Sequence, residues 1–329
     1  GLPVGFDILA EALPSSSRGS FLLYIEFFWT LGSIYVNITA ATMLDSFGWQ
    51  AFTAMAAVPT LIASIAGYLM LPESPRWLVD DGRSAEALHI VNKWAESNGA
   101  DARFHELTVT DKHRSDVSVI DLIRRRELRM TTLKMAVVWF AFGVTYYGVV
   151  MLLPRIFQKD RVSSNDGPSE QDCNLHFDNQ DLIISSLAEI IGVLFALRMI
   201  ESPGRVWTQG VFYTFGSVCI FLLGFRNLDT VFLTVVASLG RLAEMAASCA
   251  TWVHTPELFP TLVRAEAHAV LNIASKIGAF CAPFLISDAF PQILCAIIMA
   301  AVGVLATVAA CLLPETAGEE LSAVSEVAS

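Results

Sequence analysis

Four long apolar runs of this chain are each interrupted by ionisable side chains: Glu26 in the first, Glu189 in the second, Arg241 with Glu244 in the third, and Lys276 in the fourth. A charge inside an apolar run is costly unless it meets a partner, water or a bound molecule. Glu26 has no partner nearby in sequence, so it is the candidate proton or cation site. Arg241 and Glu244 are spaced i,i+3 on one helical face, where they either neutralise each other or face a bound molecule. Lys276 is either an anion contact, a side chain reaching toward the interface, or the partner of a carboxylate. Glu189 joins the same set of inward-facing candidates.

A second kind of chemistry is written twice. The pattern E-x-x-P-x-x-x-R occurs as Glu11-Ala-Leu-Pro14-Ser-Ser-Ser-Arg18 and as Glu257-Leu-Phe-Pro260-Thr-Leu-Val-Arg264. Proline breaks a helix at a boundary, and a Glu and an Arg seven residues apart can pair across the resulting loop or with a neighbouring loop. The alternative is that Arg18 and Arg264 anchor helix ends among lipid headgroups. After each copy come two apolar runs and then Leu71-Pro-Glu73-Ser or Leu313-Pro-Glu315-Thr. The copies are 246 residues apart at the first landmark and 242 at the second, so two parts of the chain share one plan. Glu73, Arg76 and Glu315 add charges at these boundaries, and so do Glu201 and Arg205 beside the turn glycine Gly204. Together they form a candidate charged latch.

The elements that must carry these groups are membrane helices. Hydrophobic residues make up 54% of the 329 residues, charged residues 16%, and the mean hydropathy is +0.55. Apolar stretches long enough to cross a bilayer as helix lie near 20–44, 49–71, 132–153, 182–200, 207–225, 230–252, 265–287 and 290–313, eight in all. None alternates with the period of two expected of a membrane strand, so the fold class is all-α. The chain divides into 1–71, a polar connector 72–131 with amphipathic helices, one beginning at Ser84 and another over 117–127, a six-span part 132–313, and a tail 314–329. Ten residues precede Glu11, too few to match what precedes Glu257, so about three and a half spans are expected to be missing from the first part.

Ten of the 21 Lys and Arg residues lie in 72–131, which places that connector and the C-terminus on the cytoplasmic side. The segment 154–181 holds three basic and six acidic residues and falls on the other side. A net charge of −11 argues against nucleic acid as a partner. Six cysteines show no metal-binding or redox spacing, Cys173 stands alone in the outer segment, and there is no nucleotide loop or hydrolase motif. No cofactor and no enzymatic activity are expected.

Pro72-Glu-Ser-Pro-Arg-Trp-Leu78, Pro256-Glu-Leu-Phe-Pro-Thr-Leu-Val-Arg264 and Pro314-Glu-Thr-Ala-Gly318 resemble the sugar and organic-ion porters of the major facilitator superfamily. Ala10-Glu-Ala-Leu-Pro14, Ile25-Glu-Phe-Phe-Trp29, Tyr146-Tyr-Gly148 and Thr255-Pro-Glu257 are most similar to the synaptic vesicle 2-related proteins within that group. The resemblance covers the whole chain and implies a twelve-span fold of two pseudo-repeated six-helix halves, of which spans five to twelve and a remnant of the fourth are present. It implies transport of a small organic solute, a sugar or an organic ion, by alternating access, coupled to a proton or cation or uncoupled, in a plasma or vesicle membrane. It places Tyr146, Tyr147 and Trp252 beside a central cavity. The link Glu201-Ser-Pro-Gly-Arg205 departs from the family's more basic pattern, which puts its switching role in doubt. An alternative reading is a transporter-shaped protein that binds or traffics without transporting.

Overall fold

The computed structural model describes residues 2–14, 17–99, 104–107, 120–158, 179–225, 228–287 and 289–319. Cys173, most of the outer segment 154–181, the start of the 117–127 helix and the tail beyond Glu319 lie outside them. The described residues form eleven helices: α1 (Leu2–Ala12), α2 (Arg18–Met70), α3 (Pro75–Asp80), α4 (Ser84–Ser97), α5 (Asp121–Arg124), α6 (Arg126–Gln158), α7 (Asn179–Met199), α8 (Arg205–Leu222), α9 (Thr230–Glu257), α10 (Thr261–Leu285) and α11 (Gln292–Cys311). No strand occurs among them. α2 is two membrane-length segments, Arg18–Leu44 and Ser46–Met70, joined through Gly48, whose φ of 78° only glycine adopts readily.

Among the described residues, six helical segments are long and apolar enough to cross a membrane. The eight expected spans exceed that number by α7 and α8. Both are helices, but α8 is 18 residues long and buries Arg205, Thr208, Gln209 and Ser217, which dilutes its apolar character. It is a helix whose polar side faces protein, so a hydropathy window undercounts it.

The core sits between α6, α7, α8, α9, α10 and α11, with the first segment of α2 packed on α7 and α9. α6 and α10 touch backbone to backbone because glycines meet there: a methyl group on Gly143 would lie 2.1 Å from the Ser275 carbonyl oxygen, and one on Gly278 2.2 Å from that of Phe140. Small residues permit such close helix crossings where lipid supplies no hydrophobic drive for association. The segment Ser46–Met70, by contrast, buries none of its most apolar window, and Tyr68, Leu69 and Met70 stand almost fully exposed. In the connector, Ser74 caps α3 by accepting from the Trp77 N–H at 3.3 Å. On exposed α4, hydrogen bonds from Arg83 hold the Glu86 carboxyl below its ordinary titration range.

Candidate functional site

Each proline of the duplicated pattern ends a helix, and each arginine then folds back onto the helix it follows. Arg18 Nε donates to the Ala10 carbonyl at 3.2 Å, and Arg264 Nε donates to the Pro256 carbonyl at 2.7 Å, both eight residues back. A guanidinium is favoured there because it satisfies a terminal carbonyl and meets the negative end of the helix dipole.

The two copies then exchange partners. Arg264 Nη1 meets Glu11 Oε1 at 2.6 Å, and Arg18 Nη1 lies 3.7 Å from Glu257 Oε1. Each glutamate also accepts a hydroxyl from the Pro-Glu-Ser/Thr element of its own copy: Ser74 donates to Glu11, and Thr316 Oγ1 donates to Glu257 at 2.6 Å. Pairing is therefore reciprocal and crosses between α1–α2 and α9–α10. Arg18 and Arg264 are almost fully buried, so they are not exposed headgroup anchors in this structure.

Arg205 extends this network. It sits at the start of α8 with no exposed surface, grips Glu257 through two hydrogen bonds of 2.9 and 3.0 Å, and reaches Glu201 at 2.8 Å and the Ile200 carbonyl at 2.9 Å. Glu201 in turn accepts the Ser20 N–H at the start of α2 at 3.0 Å. The link that departs from the family pattern thus still ties α7 to α2. Gly204, with φ of 113°, lets Glu315 lie against the first turn of α8, where the Arg205 and Val206 N–H groups donate to it at 2.9 and 3.0 Å. Glu73 and Arg76 do not join: both are exposed, Glu73 accepts only the neighbouring Ser74 N–H, and Arg76 makes no ion pair among the described residues.

Beyond the latch lies a cavity of about 260 Å³ lined by Glu26 and Trp29 from α2, Phe142, Tyr146 and Tyr147 from α6, Ser248 and Trp252 from α9, and Asn272, Ser275 and Lys276 from α10. Five of the eight residues expected from sequence to face a cavity are here: Glu26, Tyr146, Tyr147, Trp252 and Lys276. The Glu26 carboxylate has no hydrogen bond or ion pair among the described residues and is 4% exposed. Lys276 Nζ lies 3.5 Å from the Tyr147 hydroxyl and 5.6 Å from its ring centroid.

Glu189, Arg241 and Glu244 stand behind the wall. Arg241 does not depend on its i,i+3 neighbour: it donates from Nε and Nη2 to Glu189 Oε1 on α7, at 3.1 and 2.5 Å. The same Glu189 oxygen accepts the Tyr146 hydroxyl at 3.1 Å, and that hydroxyl accepts from Trp29 Nε1 at 3.0 Å. A chain Trp29–Tyr146–Glu189–Arg241 therefore fixes the cavity's aromatic wall across α2, α6, α7 and α9. Glu244 Oε2 accepts from Thr145 Oγ1 at 2.5 Å, while its Oε1 is buried with no partner among the described residues.

Sequence reasoning missed Trp29 as a wall residue, although it ends the Ile25-Glu-Phe-Phe-Trp29 motif and lies three residues after Glu26. It also missed Asn272, whose i,i+4 spacing to Lys276 was available as a signal, and Ser275, for which spacing offered none. Asp7 and His268, which meet at 2.8 Å between the latch and the cavity, carried no signal, being 261 residues apart.

Residues 8–328 match the family of sugar (and other) transporters. The chain is 31% identical to the synaptic vesicle 2-related protein of Xenopus laevis, over 98% of this chain and 60% of that one. It is 26% identical to organic cation/carnitine transporter 7 of Arabidopsis thaliana, over 98% of this chain and 72% of that one. The chain thus spans about three fifths of the length of the vesicle-related relative. Its fold matches the major facilitator proton:xylose symporter XylE with a TM-score of 0.63 at 20% identity, over 96% of this chain and 68% of the symporter. With a membrane-helix fold of that superfamily and a family match across nearly its whole length, this chain belongs to the sugar (and other) transporter family.

Proposed function

We propose that the full-length protein is a secondary or facilitative transporter that moves a small organic solute by alternating access, binding it in the cavity between α2 and α6, α9 and α10. The observation that carries this reading is reciprocity: the duplicated Glu and Arg residues close one side of the cavity by pairing across the elements that line it. The desolvation cost of burying these charges offsets much of their mutual attraction, so the pairs can be exchanged for water at small net cost when the elements part, which a gate requires. The basic connector supports a cytoplasmic position for the latch.

The lining favours a solute with a cationic or hydroxylated group. Glu26 supplies a carboxyl group with no side-chain partner among the described residues, five aromatic side chains supply π faces, and Ser248, Asn272 and Ser275 supply hydrogen bonds. Glu26 is also the candidate coupling site, taking either a proton or the positive group of the solute. The non-transporting alternative drew on the altered Glu201–Arg205 link and on the missing spans, and the ties made by Glu201 and Arg205 weigh against the first of these.

The test is uptake of radiolabelled organic cations and hexoses into liposomes holding the full-length protein, with Glu26→Gln beside it. We expect uptake that Glu26→Gln abolishes, or leaves with an altered pH dependence. Uptake whose rate and pH dependence are unchanged in Glu26→Gln would refute the assignment of Glu26.

A further inference from the structure

Two buried histidines lie near the latch, and they differ in how they are held. His254 on α9 has both ring nitrogens engaged, with Gln209 Nε2 at 2.8 Å on one and the Pro314 carbonyl at 2.9 Å on the other, so its role is architectural. His268 on α10 has one nitrogen engaged: Nδ1 lies 2.8 Å from Asp7 Oδ1 on α1. Its Nε2 and the second Asp7 oxygen are both fully buried with no partner among the described residues. A buried polar atom left without a partner calls for a specific explanation.

Position supplies one. On α10, His268 follows Arg264 by one turn and precedes Asn272, a cavity residue, by one turn, and on α1, Asp7 precedes Glu11 by one turn. The Asp7–His268 pair therefore crosses the same interface as the Glu11–Arg264 pair, one layer nearer the cavity. Phe6, Trp139 and Trp252 seal it, with ring centroids 6.4, 5.5 and 5.0 Å from the imidazole, and Trp252 also lines the cavity.

The duplication marks the pair as an addition. Applying the 246-residue offset, Asp7 corresponds to Val253 and His268 to Leu22, both buried and apolar. The latch is symmetric and built of groups that keep their charge across physiological pH, whereas this pair is single and contains the one side chain whose ordinary titration falls there.

We propose that Asp7 and His268 form a proton-binding site that spans the interface and locks it when occupied. The charged and titratable groups on the elements packed around it are Glu11 on α1, Arg264 on α10, Arg18 on α2, His254 and Glu257 on α9, and Arg76 on α3, which acts electrostatically on Arg264; from α6 the described contacts with His268 are aromatic. In the layer shared by α1 and α10, two carboxylates meet one guanidinium, so a proton on His268 completes neutrality. The proton adds to Nε2 while Nδ1–H continues to donate to Asp7. The imidazolium–carboxylate attraction exists only while α1 and α10 are together, so proton binding and closure favour each other. Because Nε2 is sealed from solvent, the proton enters and leaves only when the interface parts.

This inference rests on the alternating-access reading but is tested without transport. Spin labels at the exposed positions 21 on α2 and 265 on α10 report the separation of the interface in the full-length protein, with no solute present. Between about pH 5.5 and 8, bracketing ordinary histidine titration, the separated population should rise with pH, at most tenfold per unit for one proton. His268→Gln and Asp7→Asn should each flatten that dependence, and the double variant should resemble either single one. Arg83→Gln, on the exposed connector, should leave it intact. A pH-dependent separation that persists in folded His268→Gln, or one abolished by Arg83→Gln, overturns the proposal. Failure of every solute to be taken up, with the pH-dependent separation present and lost in both pair variants, leaves this site standing while refuting the transport reading.

Discussion

Replacing Glu11 by Gln removes one carboxylate charge from the latch and little volume. In the closed state Arg264 is 1% exposed, with Glu11 as its ion-pair partner at 2.6 Å and the Pro256 carbonyl as its other hydrogen-bonded group. Removing one member of a buried pair costs about 3–5 kcal/mol because the remaining charge stays desolvated. The lower end applies here, since the Glu11 side chain keeps some exposure and the glutamine can still accept from Ser74. When the interface parts, Arg264 meets water, so the cost falls on the closed state alone. A differential of about 3 kcal/mol shifts the closed-to-open ratio by roughly 100-fold, enough to turn a population that is about 99% closed into an even mixture. Distances between spin labels at positions 21 and 265, measured at one pH, report that ratio. The double variant Glu11→Gln/Arg264→Gln should open less than the sum of the single variants, because it removes both charges of the pair. An unchanged distance distribution in Glu11→Gln would refute the claim that this pair holds the interface.

Three further outcomes follow from the geometry. Gly204→Ala forces a side chain onto a residue at φ of 113° and sets its Cβ 2.5 Å from the Glu315 carboxylate, so thermal stability in detergent should fall by the equivalent of about 1–3 kcal/mol; an unchanged melting temperature would contradict the packing. Glu189→Gln leaves Arg241 facing an uncharged partner and disturbs the Tyr146 hydroxyl, so both stability and solute affinity should drop, whereas Glu189→Asp should retain part of each. Gly143→Ala sets its Cβ 2.1 Å from the Ser275 carbonyl oxygen at the α6–α10 crossing, so folded protein should be recovered in much lower yield than from the unsubstituted protein.

The fold was legible because it depends on local quantities. Run length and hydropathy mark most of the membrane helices directly, and the duplicated E-x-x-P-x-x-x-R marks the repeat without any long-range information. Legibility failed where pairing crosses helices. Arg241 has Glu244 three residues away and still binds Glu189, 52 residues back, because helix rotation and not spacing decides which side of a buried arginine faces a carboxylate. Tyr146 could be placed at the cavity from its motif, but the chain running from Trp29 through its hydroxyl to Glu189 exists only once α2, α6 and α7 are packed. Asp7 and His268 are the extreme case: each is an isolated residue in an apolar context, and only the docking of α1 on α10 makes them a pair. Arg76 failed in the opposite way, since its motif implied a role while the first turn of α3 holds it in solvent.

Alternating access requires that the latch open in every transport cycle. With cysteines at the exposed positions 21 and 265 of the full-length protein in liposomes, a bis-methanethiosulfonate linker bridges α2 and α10, and a reductant releases it. The account predicts solute uptake before linking, none while linked, and recovery after reduction. Uptake that continues at the same rate with the linker in place would contradict it.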